Sequence, residues 1–240
     1  MPKIKLPNHN DLLDETLDIY KVIHSTLSES LKERLLCIQP LLSNGILTES
    51  AYDLFNESSF ELSMPMFSLR QIYIKKFGYF LVSEDFLKNA IELFSKNKIL
   101  EVGSGSGFLS SCLQSYGLDI TPTDENLKSN PYGFTDTYTD IIETDSVQYL
   151  KNNVKNFDTV LMSWPNYDTD FAYNILKNMK KGQTLIYIGE GYGGCTGNDQ
   201  FFDRLDSHAI LMEKETDKMD KASFQWFGLH DRVSVYKIIK

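Results

Sequence analysis

Short apolar runs recur along the chain after residue 66, and stretches with helical spacing separate most of them. The runs begin near residues 98, 118, 140, 159, 184, 209 and 233. Apolar runs of this length, bounded by turn residues, predict buried strands. Strands that alternate with helices predict an α/β fold built on a mainly parallel sheet.

The first 65 residues have a different pattern, in which large apolar residues recur at helical spacing. Two such stripes cover residues 12–23 and 27–38, and another helix is predicted from about Thr48. Residues 63–65, which end in Pro65, predict a break. We therefore divide the chain into an N-terminal helical extension at residues 1–65 and an α/β domain at residues 66–240. The extension is either a packed cap or a lid that selects the substrate.

The strongest local signal lies at residues 98–107, where an apolar strand leads into Gly103, Gly105 and Gly107. Glycine permits a sharp turn and close approach of the backbone to a ligand. A helical pattern follows at residues 108–116, so strand, glycine loop and helix have the order of a nucleotide-binding βα unit. The dinucleotide pattern G-x-G-x-x-G does not fit, because Phe108 occupies the place of its third glycine. The plainer alternative is a glycine-rich turn without a ligand.

An acid, Glu101, ends the strand two residues before the first glycine. A carboxylate there would repel a pyrophosphate and suits a ligand that carries an ammonium group. The run E-x-G-x-G-x-G resembles the first motif of the class I S-adenosylmethionine-dependent methyltransferases. The resemblance covers about three quarters of the chain. It implies a seven-stranded Rossmann-like sheet with an antiparallel last strand, and S-adenosylmethionine as the cofactor. The cofactor-binding residues that it implies in this loop are Glu101, Gly103, Ser104, Gly105 and Gly107.

Two further acids follow predicted strands. Asp124 lies 23 residues after Glu101, where a carboxylate can accept hydrogen bonds from both ribose hydroxyls, and Glu125 is the alternative. By the same resemblance, Asp145 would accept the exocyclic amine of adenine, and Ser146 would offer its backbone N–H. The resemblance therefore adds Asp124, Asp145 and Ser146 to the cofactor-binding set.

The acceptor side is predicted at two later loops. Residues 163–167 read Ser-Trp-Pro-Asn-Tyr, which is similar to the Asp/Asn/Ser-Pro-Pro-Tyr/Phe loop of amino-group methyltransferases. Trp164 replaces a proline and an extra residue precedes Tyr167, and these departures make a nucleobase acceptor less favoured. Residues 189–197 contain five glycines and Glu190, which could bind an amine or act as a general base. The catalytic candidates are Ser163, Trp164, Tyr167 and Glu190, and the candidate pocket residues before the first strand are Arg70, Tyr73, Tyr79 and Phe80.

Composition narrows the classes of function. The net charge of −9 makes a nucleic-acid substrate less favoured, since phosphate contacts need a surplus of lysine and arginine. The three cysteines form no CxxC pair and the four histidines have no metal-ligand spacing, so neither a disulfide framework nor a metal site is expected. No apolar run is long enough to span a membrane, and a cytoplasmic location is expected.

The function that these features predict is methyl transfer from S-adenosylmethionine to a small molecule or a protein side chain. The nearest resemblance is to methyltransferase-like proteins that pair a W-P loop with a GE…GGCTG loop. Two alternatives stay open. One is a non-catalytic methyltransferase-like protein that binds the cofactor or a protein partner, and the other is an aminopropyl transferase that uses the decarboxylated cofactor.

Overall fold

The computed structural model describes residues 38–56, 60–129 and 133–240, and elements are numbered over these residues. The helices predicted at residues 12–23 and most of 27–38 therefore lie outside the described part. The strands are β1 (Ile46–Leu47), β2 (Val82–Ser83), β3 (Lys98–Val102), β4 (Asp119–Asp124), β5 (Ile142–Glu143), β6 (Thr159–Ser163), β7 (Thr184–Gly189), β8 (Ala209–Leu211) and β9 (Arg232–Ile238). The α-helices are α1 (Gln39–Asn44), α2 (Tyr52–Asn56), α3 (Phe60–Lys76), α4 (Glu84–Phe94), α5 (Phe108–Ser115), α6 (Ser146–Asn153), α7 (Phe171–Asn178), α8 (Asp199–His208) and α9 (Glu213–Asp220).

The main sheet has seven strands in the order β5-β4-β3-β6-β7-β9-β8. Neighbouring strands from β5 to β7 are parallel, and β9 is antiparallel to both β7 and β8. The predicted fold class, a seven-stranded Rossmann-like methyltransferase sheet with an antiparallel last strand, is confirmed. The chain order reverses between β3 and β6, and ligand sites of open α/β sheets lie at the carboxyl ends of strands at such a point.

Side chains of the central strands alternate between two apolar cores. Ile99 of β3 and Leu161 of β6 join a core that contains α4, α5 and α9. Leu100 and Val160 point to the opposite face, where α6, α7 and α8 pack. The period of two along each strand therefore places one helical layer on each face of the sheet.

Helix α4, which leads directly into β3, begins at a strong capping residue. The Ser83 hydroxyl accepts a hydrogen bond of 3.0 Å from the Phe86 N–H and donates one to the Ala222 carbonyl. Phe86, Leu87 and Phe94 are buried on one face of the helix. Each large apolar side chain buried in this way contributes roughly 1.5–3 kcal/mol.

The described part of the N-terminal region packs into the same core as the α/β domain. Leu47 and Leu54 belong to the core that contains α4 and α5, and β1 pairs with β2 in a small parallel sheet. The predicted break at residues 63–65 is wrong, because α3 runs through Pro65. Buried Met66, Leu69 and Tyr73 hold this helix against the core, so packing overrides the local signal of the proline. No helix within the described ranges combines the length and apolar character that a membrane span needs.

Candidate functional site

A cavity of about 450 Å³ opens at the carboxyl ends of β3, β4 and β6. A smaller recess of about 60 Å³ adjoins it and reaches Glu101 and the aromatic residues that follow α3. The two share Gly103, Gly105, Ser163 and Trp164 in their walls. The volume of the larger cavity falls in the range of small-molecule sites. The site thus lies at the place where the strand order reverses.

The glycine loop between β3 and α5 forms one wall of both spaces. Gly103, Gly105 and Gly107 all have left-handed backbone, with φ of 66°, 56° and 73°. A Cβ at Gly105 would lie 2.9 Å from the Phe134 ring, so both the conformation and the space require glycine. Among the described side chains, the Ser104 hydroxyl is buried without a hydrogen-bond partner. The loop therefore offers a close backbone surface and one buried polar group without a partner.

Glu101 forms the floor of the smaller recess and is 2% exposed. Its carboxylate accepts a hydrogen bond from the Ser110 hydroxyl of α5. Burial raises its pKa to about 7; the Asp124 charge adds to this effect and the Ser110 hydrogen bond opposes it. Within the described part of the chain, no lysine or arginine forms an ion pair with Glu101. A buried acid without a cationic partner is suited to a ligand that brings its own positive charge.

Asp124, the last residue of β4, holds the glycine loop in place. Its Oδ2 accepts a hydrogen bond of 2.9 Å from the Gly105 N–H, and its Oδ1 accepts one of 2.9 Å from the Asn126 N–H. Each carboxylate oxygen has a second lone pair, so both remain able to accept a hydrogen bond from a ligand. The side chain lines the larger cavity.

Asp145 and Ser146 begin α6 at the far side of this cavity. The Asp145 carboxylate accepts hydrogen bonds from the N–H groups of Val147 and Gln148, at 2.8 and 3.2 Å. The buried Ser146 hydroxyl accepts a 3.3 Å hydrogen bond from the Gly103 N–H and donates one of 3.3 Å to the Thr123 carbonyl. Its side chain therefore joins the glycine loop, β4 and α6, while its backbone N–H is among those that a helix leaves without an internal acceptor.

Ser163 and Trp164 form the wall opposite the glycine loop. Trp164 has φ of 50°, and no other non-glycine residue in the described ranges has positive φ. Its N–H donates a 2.8 Å hydrogen bond to the Ile188 carbonyl, and its ring stacks on Tyr79 with centroids 5.0 Å apart. Strained backbone of this kind persists only where its surroundings hold it, and it concentrates at functional sites.

Tyr167 and Glu190, the other catalytic candidates, are not among the residues that line either cavity. Tyr167 is 51% exposed. Glu190 is buried, and its carboxylate accepts hydrogen bonds of 2.7 Å from the Cys195 N–H and 3.1 Å from the His230 N–H. Burial acts to raise the pKa of Glu190, yet these two N–H groups leave it below its ordinary value. In this conformation Glu190 orders the loop at residues 189–197.

Several lining residues were not singled out from the sequence as ligand-binding residues. Phe134 lies against Gly105, and Phe171 lies 3.4 Å from the position of a Cβ at Gly103. Asn126 and Val147 line the same cavity. Of the four aromatic or basic residues predicted before β3, Tyr79 and Phe80 reach the recess, Arg70 packs on Trp164, and Tyr73 is fully buried. The missed residues come from loops and helix starts whose sequence carries no motif.

The lining fits S-adenosylmethionine better than a phosphorylated nucleotide. It includes the acids Glu101, Asp124, Glu125 and Asp145, and no lysine or arginine is among its described members. S-adenosylmethionine carries a sulfonium and an ammonium, whereas a pyrophosphate needs cations or free N–H groups. The glycine loop and the unpartnered Ser104 hydroxyl are further features that a bound ligand would contact.

The strand order β5-β4-β3-β6-β7-β9-β8 with an antiparallel β9 is that of a Rossmann-like methyltransferase sheet. No protein-family model matches the sequence, and no curated protein matches it significantly. A methyltransferase from Archaeoglobus fulgidus that depends on S-adenosylmethionine is 14% identical over 63% of this chain and 90% of its own, with a TM-score of 0.43. TehB from Haemophilus influenzae is 14% identical over 71% of this chain and 67% of its own, with a TM-score of 0.42. Human N-acetylserotonin methyltransferase in complex with S-adenosylmethionine is 15% identical over 84% of this chain and 63% of its own, with a TM-score of 0.38. At these identities and TM-scores, the similarity assigns to this chain no activity, no substrate and no residue role.

Proposed function

We propose that this protein is an S-adenosylmethionine-dependent methyltransferase whose acceptor is a small molecule or a protein side chain. One observation carries the proposal. The Asp124 carboxylate bonds the Gly105 N–H of a left-handed glycine loop, and both border a cavity that contains acids and no described cation. A glycine turn without a ligand needs neither a cavity nor a buried acid beneath it.

The cofactor would lie along the glycine loop. Glu101 would face its ammonium group, and Asp124 would accept hydrogen bonds from its ribose hydroxyls. Asp145 and the Ser146 N–H would hold the adenine edge, while the rings of Phe134 and Phe171 offer apolar contact near Gly105 and Gly103. Gly107 allows the turn into α5, since a Cβ there would meet Ile141 at 2.9 Å.

When bound, S-adenosylmethionine supplies an electrophilic methyl group on a positively charged sulfur. The residues of this chain would position the acceptor in line with the S–CH3 bond, and positioning is the main contribution when the acceptor is already a good nucleophile. Ser163 and Trp164 form the wall where the acceptor would enter. Roles for Tyr167 and Glu190 in acceptor binding require that a bound acceptor extend beyond the two cavities, and they stay predictions.

The proposal is tested with methyl-labelled S-adenosylmethionine and acceptor pools of amines, thiols, phenols and unfolded peptides. We expect transfer of label to one pool by the wild-type protein and loss of that transfer in Asp124→Ala. The Asp119→Ala variant is the matched control, because Asp119 begins the same strand at its exposed opposite end. No transfer by the wild-type protein to any pool would contradict the proposed activity, and transfer that survives in Asp124→Ala would contradict the proposed role of Asp124.

The non-catalytic alternative is supported by one specific observation, the tryptophan in place of a proline in the loop after β6. Under that alternative, the protein binds S-adenosylhomocysteine with the same dependence on Asp124 and transfers label to no acceptor. An aminopropyl transferase would bind the decarboxylated cofactor more tightly than S-adenosylmethionine. Parallel titrations with the two cofactors separate this last alternative from the proposed function.

A further inference from the structure

The indole of Trp164 is held from several sides by residues that are distant in sequence. Its Nε1–H donates a 3.1 Å hydrogen bond to Oδ2 of Asp231, and its ring is nearly parallel to Tyr79, at 18°. The Arg70 guanidinium carbon lies 5.5 Å from the ring centroid, within the distance of a cation–π interaction. The hydrogen bond to Asp231 is the one directional contact in this set.

Asp231 precedes β9 and is 6% exposed. Its Oδ1 makes no hydrogen bond among the described residues, so the indole N–H is the donor that the structure gives to this carboxylate. Charged groups face it from two other elements, Arg70 of α3 and Glu190 of the loop after β7. Burial raises the pKa of Asp231 to about 7, Glu190 adds to this effect, and the indole N–H and Arg70 oppose it.

Burying a carboxylate that has a single hydrogen-bond donor costs free energy, because most of its hydration is not replaced. Here the carboxylate fixes the ring of a residue whose own backbone is in a left-handed conformation that side chains rarely adopt. Without that bond, only the less directional contacts with Tyr79 and Arg70 would hold the Trp164 ring, and its side-chain torsions would be less restricted beside the cavity that it borders.

We propose that Asp231 is a positioning residue that fixes the Trp164 indole as the wall on the methyl side of the cofactor cavity. The inference rests on the proposed function, because it assigns the wall to the side where the methyl group and the acceptor meet. Asp231 lies outside the cavity lining and acts through the indole. Its loss therefore changes recognition of the sulfonium methyl group while the adenosine contacts remain.

The test follows the two indole N–H signals of the chain by NMR, since the sequence has two tryptophans. Trp164→Phe assigns them, and the core residue Trp226 is the internal control. We expect the Trp164 indole N–H of the wild-type protein to exchange with water at least about tenfold more slowly than free indole. Exchange should be at least about tenfold faster in Asp231→Leu and within about threefold of wild type in Asp231→Asn, which keeps an acceptor oxygen. Unprotected exchange of the Trp164 indole N–H in the wild-type protein would overturn the proposal, and so would equal exchange rates in Asp231→Leu and Asp231→Asn. The wild-type measurement tests the proposal even if Asp231→Leu fails to fold.

Calorimetric titrations with S-adenosylmethionine and S-adenosylhomocysteine give the functional readout, because the two ligands differ by the methyl group and its charge. We expect Asp231→Leu to bind S-adenosylhomocysteine within about threefold of wild type and S-adenosylmethionine at least about fivefold more weakly. Equal changes for both ligands would show that Asp231 supports the fold rather than the wall. If the wild-type protein binds neither ligand, the proposed function fails, and the methyl-side assignment fails with it, while the exchange rates still decide whether Asp231 holds the indole.

Discussion

Glu101→Gln separates the stability cost of a buried acid from its use in ligand binding. In the folded protein, burial raises the pKa of Glu101 from its ordinary 4.5 to about 7. At about 1.4 kcal/mol for each pKa unit, its charged form costs roughly 3 kcal/mol above pH 7. Glutamine keeps an acceptor for the Ser110 hydroxyl and carries no charge, but its buried NH2 group costs about 1–2 kcal/mol at every pH.

The sign of the pH dependence follows from proton binding. Between pH 4.5 and 7 the unfolded chain has lost the Glu101 proton that the folded protein retains, so the contribution of Glu101 to stability falls as pH rises through this window. Glu101→Gln has no titrating group at this position, so its stability does not fall in this way as pH rises. We therefore expect the free energy of unfolding of Glu101→Gln, relative to wild type, to rise by roughly 3 kcal/mol from pH 4.5 to pH 8.

Urea denaturation of both proteins across this pH range measures the difference directly. Glu143→Gln is the matched control for the removal of a carboxylate, because Glu143 ends β5 at the surface in an ion pair with Lys128. Under the proposed function, S-adenosylhomocysteine should bind Glu101→Gln at least about tenfold more weakly, since the variant lacks the charge that would face the ammonium group. A difference in unfolding free energy between Glu101→Gln and wild type that stays constant with pH would refute the reasoning on burial.

Three further substitutions test the loop, a cap and a hydrogen-bond network. Gly105 has φ of 56°, and a Cβ there would lie 2.9 Å from Phe134. Gly105→Ala should therefore bind S-adenosylhomocysteine at least about tenfold more weakly by calorimetry. Unchanged affinity would contradict the proposed role of the glycine loop. Ser83→Ala should lose about 1–2 kcal/mol in urea denaturation, since it removes the cap of α4 and the bond to Ala222; a loss below about 0.5 kcal/mol would contradict this role. Tyr187→Phe removes the hydroxyl that bonds the loop at residues 189–197, at 2.8 and 3.1 Å, so it should cost about 1 kcal/mol and speed limited proteolysis there. Unchanged cleavage would contradict that prediction.

The sequence predicted the strands of the main sheet because most of them contain a local apolar run, although the expectation of burial is wrong for β5 and for most of β8, which lie exposed at the two edges of the sheet. Predicted starts near residues 98, 159, 184 and 209 coincide with the observed ones, and 118, 140 and 233 differ by one or two residues. The sequence also indicates the positive φ of the three glycines in the loop after β3, because glycine is the residue that tolerates this conformation. Local signals therefore sufficed for the sheet and for the glycine loop that follows β3.

The contacts of the two loops proposed to bind the acceptor were harder to predict, because they join residues that are distant in sequence. The hydrogen bond between Trp164 and Asp231 spans 67 positions, and the bonds that hold Glu190 come from backbone N–H groups that no side-chain pattern reveals. The short pair of β1 and β2 and the continuation of α3 through Pro65 likewise depend on packing in the assembled core.

Calorimetric titration of S-adenosylhomocysteine tests the central claim, that the cavity beside the glycine loop binds the cofactor through Asp124. We predict micromolar binding to the wild-type protein, similar binding to Asp119→Ala, and at least about tenfold weaker binding to Asp124→Ala. Thermal unfolding of the three proteins provides the check on folding. Absence of binding to the wild-type protein, or equal affinity in Asp124→Ala, would contradict the account.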